Sequence, residues 1–221
     1  MDNYLTIENG VLTRCDKNAS GNIIVPEGVT SIGDRAFGCC SSLTSIHIPS
    51  SVASIGNSAF WRCSSLSSII VNPDNKFFDS RDNCNAIIES ASNKLVAGCQ
   101  TSVIPESVTE IGAYAFGGCK SLVSIVIPSS VVSIGDSAFY GCSPMTSVII
   151  SEGVRYIGNQ AFYDCLSLVS VIIPSSVVSI GHYAFGRCKS LKSITLQSKN
   201  PYIAQSAFRK CRSLKLISIS L

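Results

Sequence analysis

Cysteine is the residue of this sequence with the widest chemical reach: eleven thiols in 221 residues could form disulfides, hold a metal or act as redox groups and nucleophiles. Metal sites combine close pairs such as CxxC with histidine or further cysteine. No CxxC occurs, and the two histidines, His47 and His182, stand at unrelated points of the chain. Seven of the cysteines, at 40, 63, 119, 142, 165, 188 and 211, each follow a phenylalanine by three residues. That regularity predicts inward thiols packed as small hydrophobes. Cys84 with Cys99, or Cys15 with Cys39, are left as candidates for cross-linking, their pairing open.

The other reactive types are no better organised for catalysis. Ser45, Ser68, Ser124, Ser147, Ser170 and Ser193 recur at one place in a pattern, without a recurring base to activate a hydroxyl, and read as a hydrogen-bonded surface stripe. Glu106, Glu110, Asp136 and Glu152 are dispersed and show no spacing that sets one carboxyl as acid and another as base. The glycines read as corner residues spaced by the repeat rather than as a GxGxxG or GxxxxGK(S/T) phosphate-cradling loop, and no GxSxG elbow is present. Asn18-Ala19-Ser20 fits a glycosylation acceptor, a pattern short enough to arise by chance. No catalytic, cofactor-binding or metal-binding residue is therefore assigned.

What positions these residues is a repeat. An Ala-Phe pair occurs at 36, 59, 115, 138, 161, 184 and 207, with every gap 23 residues except the one of 56 between 59 and 115. The unit from Leu168 to Ser190 reads LVSVIIPSSVVSIGHYAFGRCKS. Its first residues alternate, so Val171 and Ile173 point one way while Ser170 and Ile172 point the other, and Pro174 ends the strand because it lacks an N–H. Val177 and Ile180 suit a second short extended segment, Gly181 a sharp corner, and Ala184 to Cys188 one tight α or 3₁₀ turn that aims Phe185 and Cys188 inward. One such coil cannot bury its apolar side; stacked coils lay Leu, Ile and Phe on their counterparts. The period lies within the leucine-rich-repeat range.

The tract AFxxCxSLxSIxIPSSVxSIG, running from about Ile23 to Leu221, resembles the BspA-like leucine-rich repeats of bacterial surface proteins and of several microbial eukaryotes. The resemblance implies a mainly β repeat solenoid with parallel short strands, tight helical or 3₁₀ turns and an inserted β-hairpin. It also implies a binding module displayed at a cell surface, engaging a protein partner such as an extracellular matrix or host surface protein.

Residues 1–221 read as one array. Residues 1–22 form an N-terminal cap, with Tyr4 to Cys15 a hairpin turning at Asn9-Gly10. Residues 72–100 form an irregular repeat, in which Ala86 to Glu89 and Lys94 to Ala97 make a hairpin around Ser90 to Asn93 that projects from one side. Residues 214–221 supply a last strand whose open edge offers a route to oligomers. Gln197, Asn200-Pro201 and Ala204 replace the usual Pro, Val and Gly of the final coil. Nine strands are expected, near Ile24, Ile46, Ile69, Val103, Ile125, Val148, Val171, Ile194 and Ile217.

Two surfaces are candidates for binding. His47, Ile70, Val126, Ile149, Ile172, Thr195 and Ser218 occupy the outward strand position beside the serine stripe, an aliphatic run from Val126 to Ile172 among them. Trp61, Tyr140 and Tyr163 follow the Phe position, with Tyr114 and Tyr183 two residues before it, where they either contact a partner or shield the edge. The composition, 46% hydrophobic and 14% charged, supports a large core, and a net charge of +3 with scattered basic residues until a thin cluster near the end argues against nucleic acid. No apolar run is long enough for membrane insertion, and Met1 to Gly10 lacks the pattern of an export signal, so a cytoplasmic scaffold stays open beside the surface adhesion reading.

Overall fold

Each 23-residue unit returns the chain to the same place one layer further on, and the hydrogen bonds between layers follow from that return. The computed structural model describes residues 4–197 and 199–219. Along one wall the strands Ser124–Ile127 and Ser147–Ile150 pair in parallel, with Ser124 opposite Ser147 and Ile125 opposite Val148. Ser170–Ile173, Ser193–Leu196 and Leu216–Ile219 continue it, and Ser20–Ile24, Ser42–Ile48 and Ser68–Val71 precede it. Alternate residues of Ser124–Ile127 are exposed and buried, as a period of two requires. A second wall is built from two-residue strands, Glu110–Ile111, Ser133–Ile134, Tyr156–Ile157, Ser179–Ile180 and Tyr202–Ile203, again in parallel register.

The third side carries the Ala-Phe turns. Phe116, Phe139, Phe162 and Phe185 are fully buried, and consecutive rings stack with centroids 4.9, 5.0 and 5.0 Å apart. This is the spacing of neighbouring strands, so one translation serves backbone and side chains together. The cysteines brace the same ladder. Cys142, Cys165 and Cys188 thiols donate to the carbonyls of Phe116, Phe139 and Phe162 in the preceding coil at 3.1, 3.3 and 3.2 Å. Each of those oxygens also accepts the N–H of the cysteine in its own coil, so the thiol is a second donor that a hydrophobe of the same size would not supply.

The turn itself is not the expected helix. Amides alternate along it: Ala138, Tyr140 and Cys142 donate three residues back within their own coil, while Ser137, Phe139 and Gly141 donate forward to Asn159, Ala161 and Tyr163 of the next. Aiming every second amide along the stack requires left-handed backbone at two positions per coil. Ser137, Gln160 and Tyr183 sit at φ 56°, 54° and 54°, and Asp164 and Arg187 at 59° and 58°. Right-handed helix cannot pass through such residues. Gly141 (φ 72°) and Gly118 (φ 79°) take the second position without strain.

The glycine ending the second short strand has a different reason from the one its spacing suggests. Gly158 and Gly181 have ordinary φ, but a Cβ on either would lie 2.8 or 2.7 Å from the backbone nitrogen of Asp136 or Asn159 in the coil below. Close approach between layers, rather than a corner, excludes a side chain there. The same corner is tied by side chains: Asn159 N–H donates to the Asp136 carboxylate at 2.7 Å, and His182 N–H to the Asn159 side-chain oxygen at 2.8 Å.

The Ala86–Glu89 and Lys94–Gly98 hairpin does not project. It enters the two-residue-strand wall, Lys94–Gly98 pairing in parallel with Glu110–Ile111, and both its faces are buried. Ala86, Ile88 and Leu95 belong to the C-terminal core, whereas Ile87 and Ala97 belong to the N-terminal one. The hairpin is a partition between two apolar compartments, and a bulge between Leu95 and Ala97 turns Val96 and Ala97 to the same side.

No strand forms at Val103, which is exposed and irregular. The ladder edge it would have covered is met by a side chain. Asn85 accepts from the Ile69 N–H at 2.6 Å and donates to the Ser67 carbonyl at 2.7 Å, and the Thr101 hydroxyl adds a bond to that carbonyl at 2.8 Å. At the chain ends, Leu5–Glu8 pairs antiparallel with Val11–Cys15 across Asn9 and Gly10, both at positive φ. Residues 1–3, 220 and 221, which fall in the expected cap and last strand, lie outside the described residues.

Phe162→Ala opens a cavity in the middle of the ring stack and is expected to cost about 3 to 5 kcal/mol, read as a lowered urea midpoint. Asn85→Gly preserves the left-handed backbone (φ 54°) while deleting the amide. A loss of about 1 to 3 kcal/mol should accompany faster hydrogen exchange at the Ile69 amide.

Candidate functional site

The outward column of the long-strand wall falls into two groups. Val126, Ile149 and Ile172 are 53, 58 and 56% exposed on three consecutive coils, with half-buried Thr195 on the fourth. Val123 and Val169, two columns nearer the turn edge, widen this stripe, and they were not singled out from sequence. Strand pairing lapses between Ser147–Ile150 and Ser170–Ile173, where Val169 N–H reaches the Thr146 carbonyl at 3.4 Å. His47, half-buried, and Ile70, exposed, lie on the N-terminal side with Ile24, a further exposed residue. The irregular coil at Val103 separates the two groups, and a recess of about 480 Å³ lined by Ile70, Asn85 and Thr101 marks the missing strand.

The aromatic residues lie on the turn edge. Tyr140 and Tyr163 stack at 5.3 Å and 16°, and Tyr183 meets Tyr163 edge-on at 6.3 Å. Trp61 is separated from them by the coil of Gly117, whose missing Cβ would lie 3.0 Å from the indole. Guanidinium groups cover these rings: Arg62 stands 4.4 Å over Trp61, Arg187 5.8 Å over Tyr163 and Arg209 6.0 Å over Tyr183. All three residues chosen from sequence, Trp61, Tyr140 and Tyr163, are half-buried.

Among the described residues, no three of His, Cys, Asp or Glu are grouped as metal ligands would be. All eleven cysteines are free. Burial pushes the Cys119 thiol up to about 12 and raises Cys142 and Cys165 as well. Cys15 meets Cys40 rather than Cys39, and its thiol is raised by that contact and by burial. Cys84 and Cys99 turn to the Ala86 and Asn85 carbonyls at 3.8 and 3.5 Å.

Parallel walls in a 23-residue register, closed by a stacked Phe ladder, define a leucine-rich-repeat solenoid. The chain belongs to the BspA type leucine rich repeat family, whose model matches residues 2–94 and 86–215. It is similar to a leucine rich cell surface protein of Faecalibacterium prausnitzii A2-165, at 31% identity and a TM-score of 0.74 over 91% of this chain and 60% of that one. A leucine-rich repeat protein of Bacteroides ovatus shares 32% identity at a TM-score of 0.60, over 98% of this chain and 50% of its own length. A T. pallidum leucine rich repeat protein shares 27% identity at a TM-score of 0.58, over 93% of this chain and 82% of its own. The chain thus spans about half to three fifths of the first two relatives named. No curated protein matches it.

Only Cys39 and Cys211 are partly exposed. Native protein at pH 8 should therefore react promptly with a thiol reagent at no more than two of its eleven cysteines, and at all of them in denaturant.

Proposed function

We propose that this chain is a non-catalytic binding module displayed at a cell surface, and that it holds a protein partner on the stripe formed by Val126, Ile149 and Ile172. The carrying observation is that three consecutive coils each present a β-branched aliphatic side chain more than half exposed. Isolated apolar residues are ordinary on a surface, but exposed aliphatic side chains recurring on three consecutive coils beside serines fit the apolar centre and polar rim of an interface. Tyr140 and Tyr163 offer a second aromatic contact region on the turn edge. The cell-surface assignment is supported by the description of the Faecalibacterium relative as a cell surface protein. Extracellular matrix and host surface proteins are the partners to try first.

In this reading the chain is one array, its first coil covered by the Leu5–Cys15 hairpin, and the exposed Leu216–Ile219 edge offers a further contact between copies. Eleven free thiols favour a second reading, an intracellular scaffold that uses the same stripe.

A panel of immobilised extracellular matrix proteins tests the proposal. At least one should bind the wild type, and Ile149→Asp should weaken that binding about tenfold or more while lowering stability by no more than about 1 kcal/mol. Equal binding by the two proteins would remove the stripe from the interface.

A further inference from the structure

The charges of this chain are segregated in a way its net value conceals. Eight of the 17 Lys and Arg residues and none of the 14 Asp and Glu residues lie after Asp164, which leaves nine basic against 14 acidic residues up to that point. The C-terminal quarter therefore carries +8 and the remainder −5. Within that quarter the repeat stacks like on like. Arg187 and Lys210, Lys189 and Arg212, and Lys192 and Lys215 are each 23 residues apart, one layer above the other in the same column. Arg187 N–H donates to the Arg209 carbonyl and Lys215 N–H to the Lys192 carbonyl, which fixes those layers in contact. Like charges facing each other across neighbouring strands repel.

Little acid is at hand to relieve them. Asp164 pairs with Arg187 at 2.9 Å. Glu152 and Asp136 are occupied elsewhere, Glu152 accepting from the Ser175 and Ser176 amides and Asp136 from Asn159.

The cluster adjoins a trough. On the turn edge an open channel of about 420 Å³ crosses successive coils, lined by Arg62, Lys120, Tyr140, Ser143, Asp164 and Arg187 among others. Its floor is low because Gly118 and Gly141 occupy the left-handed position where other coils carry Arg62, Asp164 and Arg187. A Cβ on Gly141 would meet nothing nearer than the Gly118 Cα at 4.0 Å. Three cations and one carboxylate face the channel, and the carboxylate, Asp164, pairs with one of the three, Arg187, which leaves a net charge of +2 along it.

We propose that this trough and the basic columns beyond it bind a sulfated polysaccharide, laid across the coils along the axis of the stack. A linear polyanion is the shape that a narrow channel running from layer to layer accepts, and stacked columns of Arg and Lys give it successive charge contacts. Arg187, Arg209 and Arg212 supply forked donors suited to planar or tetrahedral oxyanions. Ser41, Ser64 and Ser143 hydroxyls along the channel match a hydroxyl-rich chain. Single-stranded nucleic acid would use aromatic faces as stacking platforms, whereas the facing surfaces of Tyr140 and Tyr163 are spent on each other. This site is separate from the strand-wall stripe and stands whether or not a protein binds there.

Heparin is the probe, titrated against the whole chain at several salt concentrations beside desulfated heparin, oligothymidylate and polyglutamate. Wild type should bind heparin most tightly, with affinity falling linearly in log salt. Arg187→Gln/Lys210→Gln/Arg212→Gln should lose tenfold or more, with a salt slope shallower by about 2. Ser143→Tyr, which fills the channel without changing charge, should weaken binding at an unchanged slope, and keeps the test decisive if the triple variant fails to fold. No binding of heparin by wild type, unchanged binding by Ser143→Tyr and a folded triple variant, or equal binding of desulfated heparin would each overturn the proposal. Tighter binding of oligothymidylate or polyglutamate would reassign the trough to nucleic acid or to an acidic peptide.

Discussion

Every second amide along the turn edge is given to the next coil, and the rest of the molecule is arranged around that constraint. Sending an N–H along the stack axis forces two left-handed residues into each turn, a conformation that costs about 1 kcal/mol or more at each residue other than glycine. The cost is met by repetition: each bond made forward from one coil is matched by one received from the coil behind, and the Phe rings and Cys thiols share the same translation. Helix in the turns, bulk at Gly158 or Gly181, or a change in layer spacing would each break the match.

The parts of this fold that repeat were legible in the sequence, and the parts that occur once were not. Phe116 to Phe185 at intervals of 23 could be placed inward because every coil makes the same demand of its Phe. The alternation of Ser124–Ile127 likewise separates inner from outer residues by a purely local rule. The i, i+3 spacing of Phe and Cys predicts an α or 3₁₀ turn because it is common to a 3₁₀ turn and to a chain of tight turns, and the chain keeps the three-residue bonds of the latter without continuing as helix. Nothing in Ser137, Gln160 or Tyr183 advertises positive φ, which is imposed by the neighbouring coil. The hairpin at 86–98 carried a usable signal that the outward reading passed over. Ala86 to Ile88 and Leu95 to Gly98 are continuous apolar runs, the mark of strands covered on both faces. Val103 is placed in a strand by its position in the count, yet the side chain of Asn85, eighteen residues earlier, takes that role.

For the surfaces, the repeat assigns the outward residues to columns but does not say which columns are continuous. The missing strand at Val103 isolates Ile70 from Val126, and Trp61 stands a coil apart from the tyrosines. In a solenoid the core columns are held nearly uniform while outward columns are free to differ from coil to coil, so recognition is written along the stack rather than within a layer. The polarity of charge from one end to the other is a property of that long axis.

The hairpin partition also bears on the order in which the chain assembles. Contacts between coils close loops of 23 residues, whereas the strands at 86–89 and 94–98 meet across a four-residue connection. Loop-closure entropy makes the shorter loop cheaper by about 1.5 kcal/mol. The Leu5–Cys15 hairpin closes a shorter loop still, but it lies at one end of the array, whereas the central hairpin has an apolar compartment on either side, so winding begun there has a face to extend from in both directions.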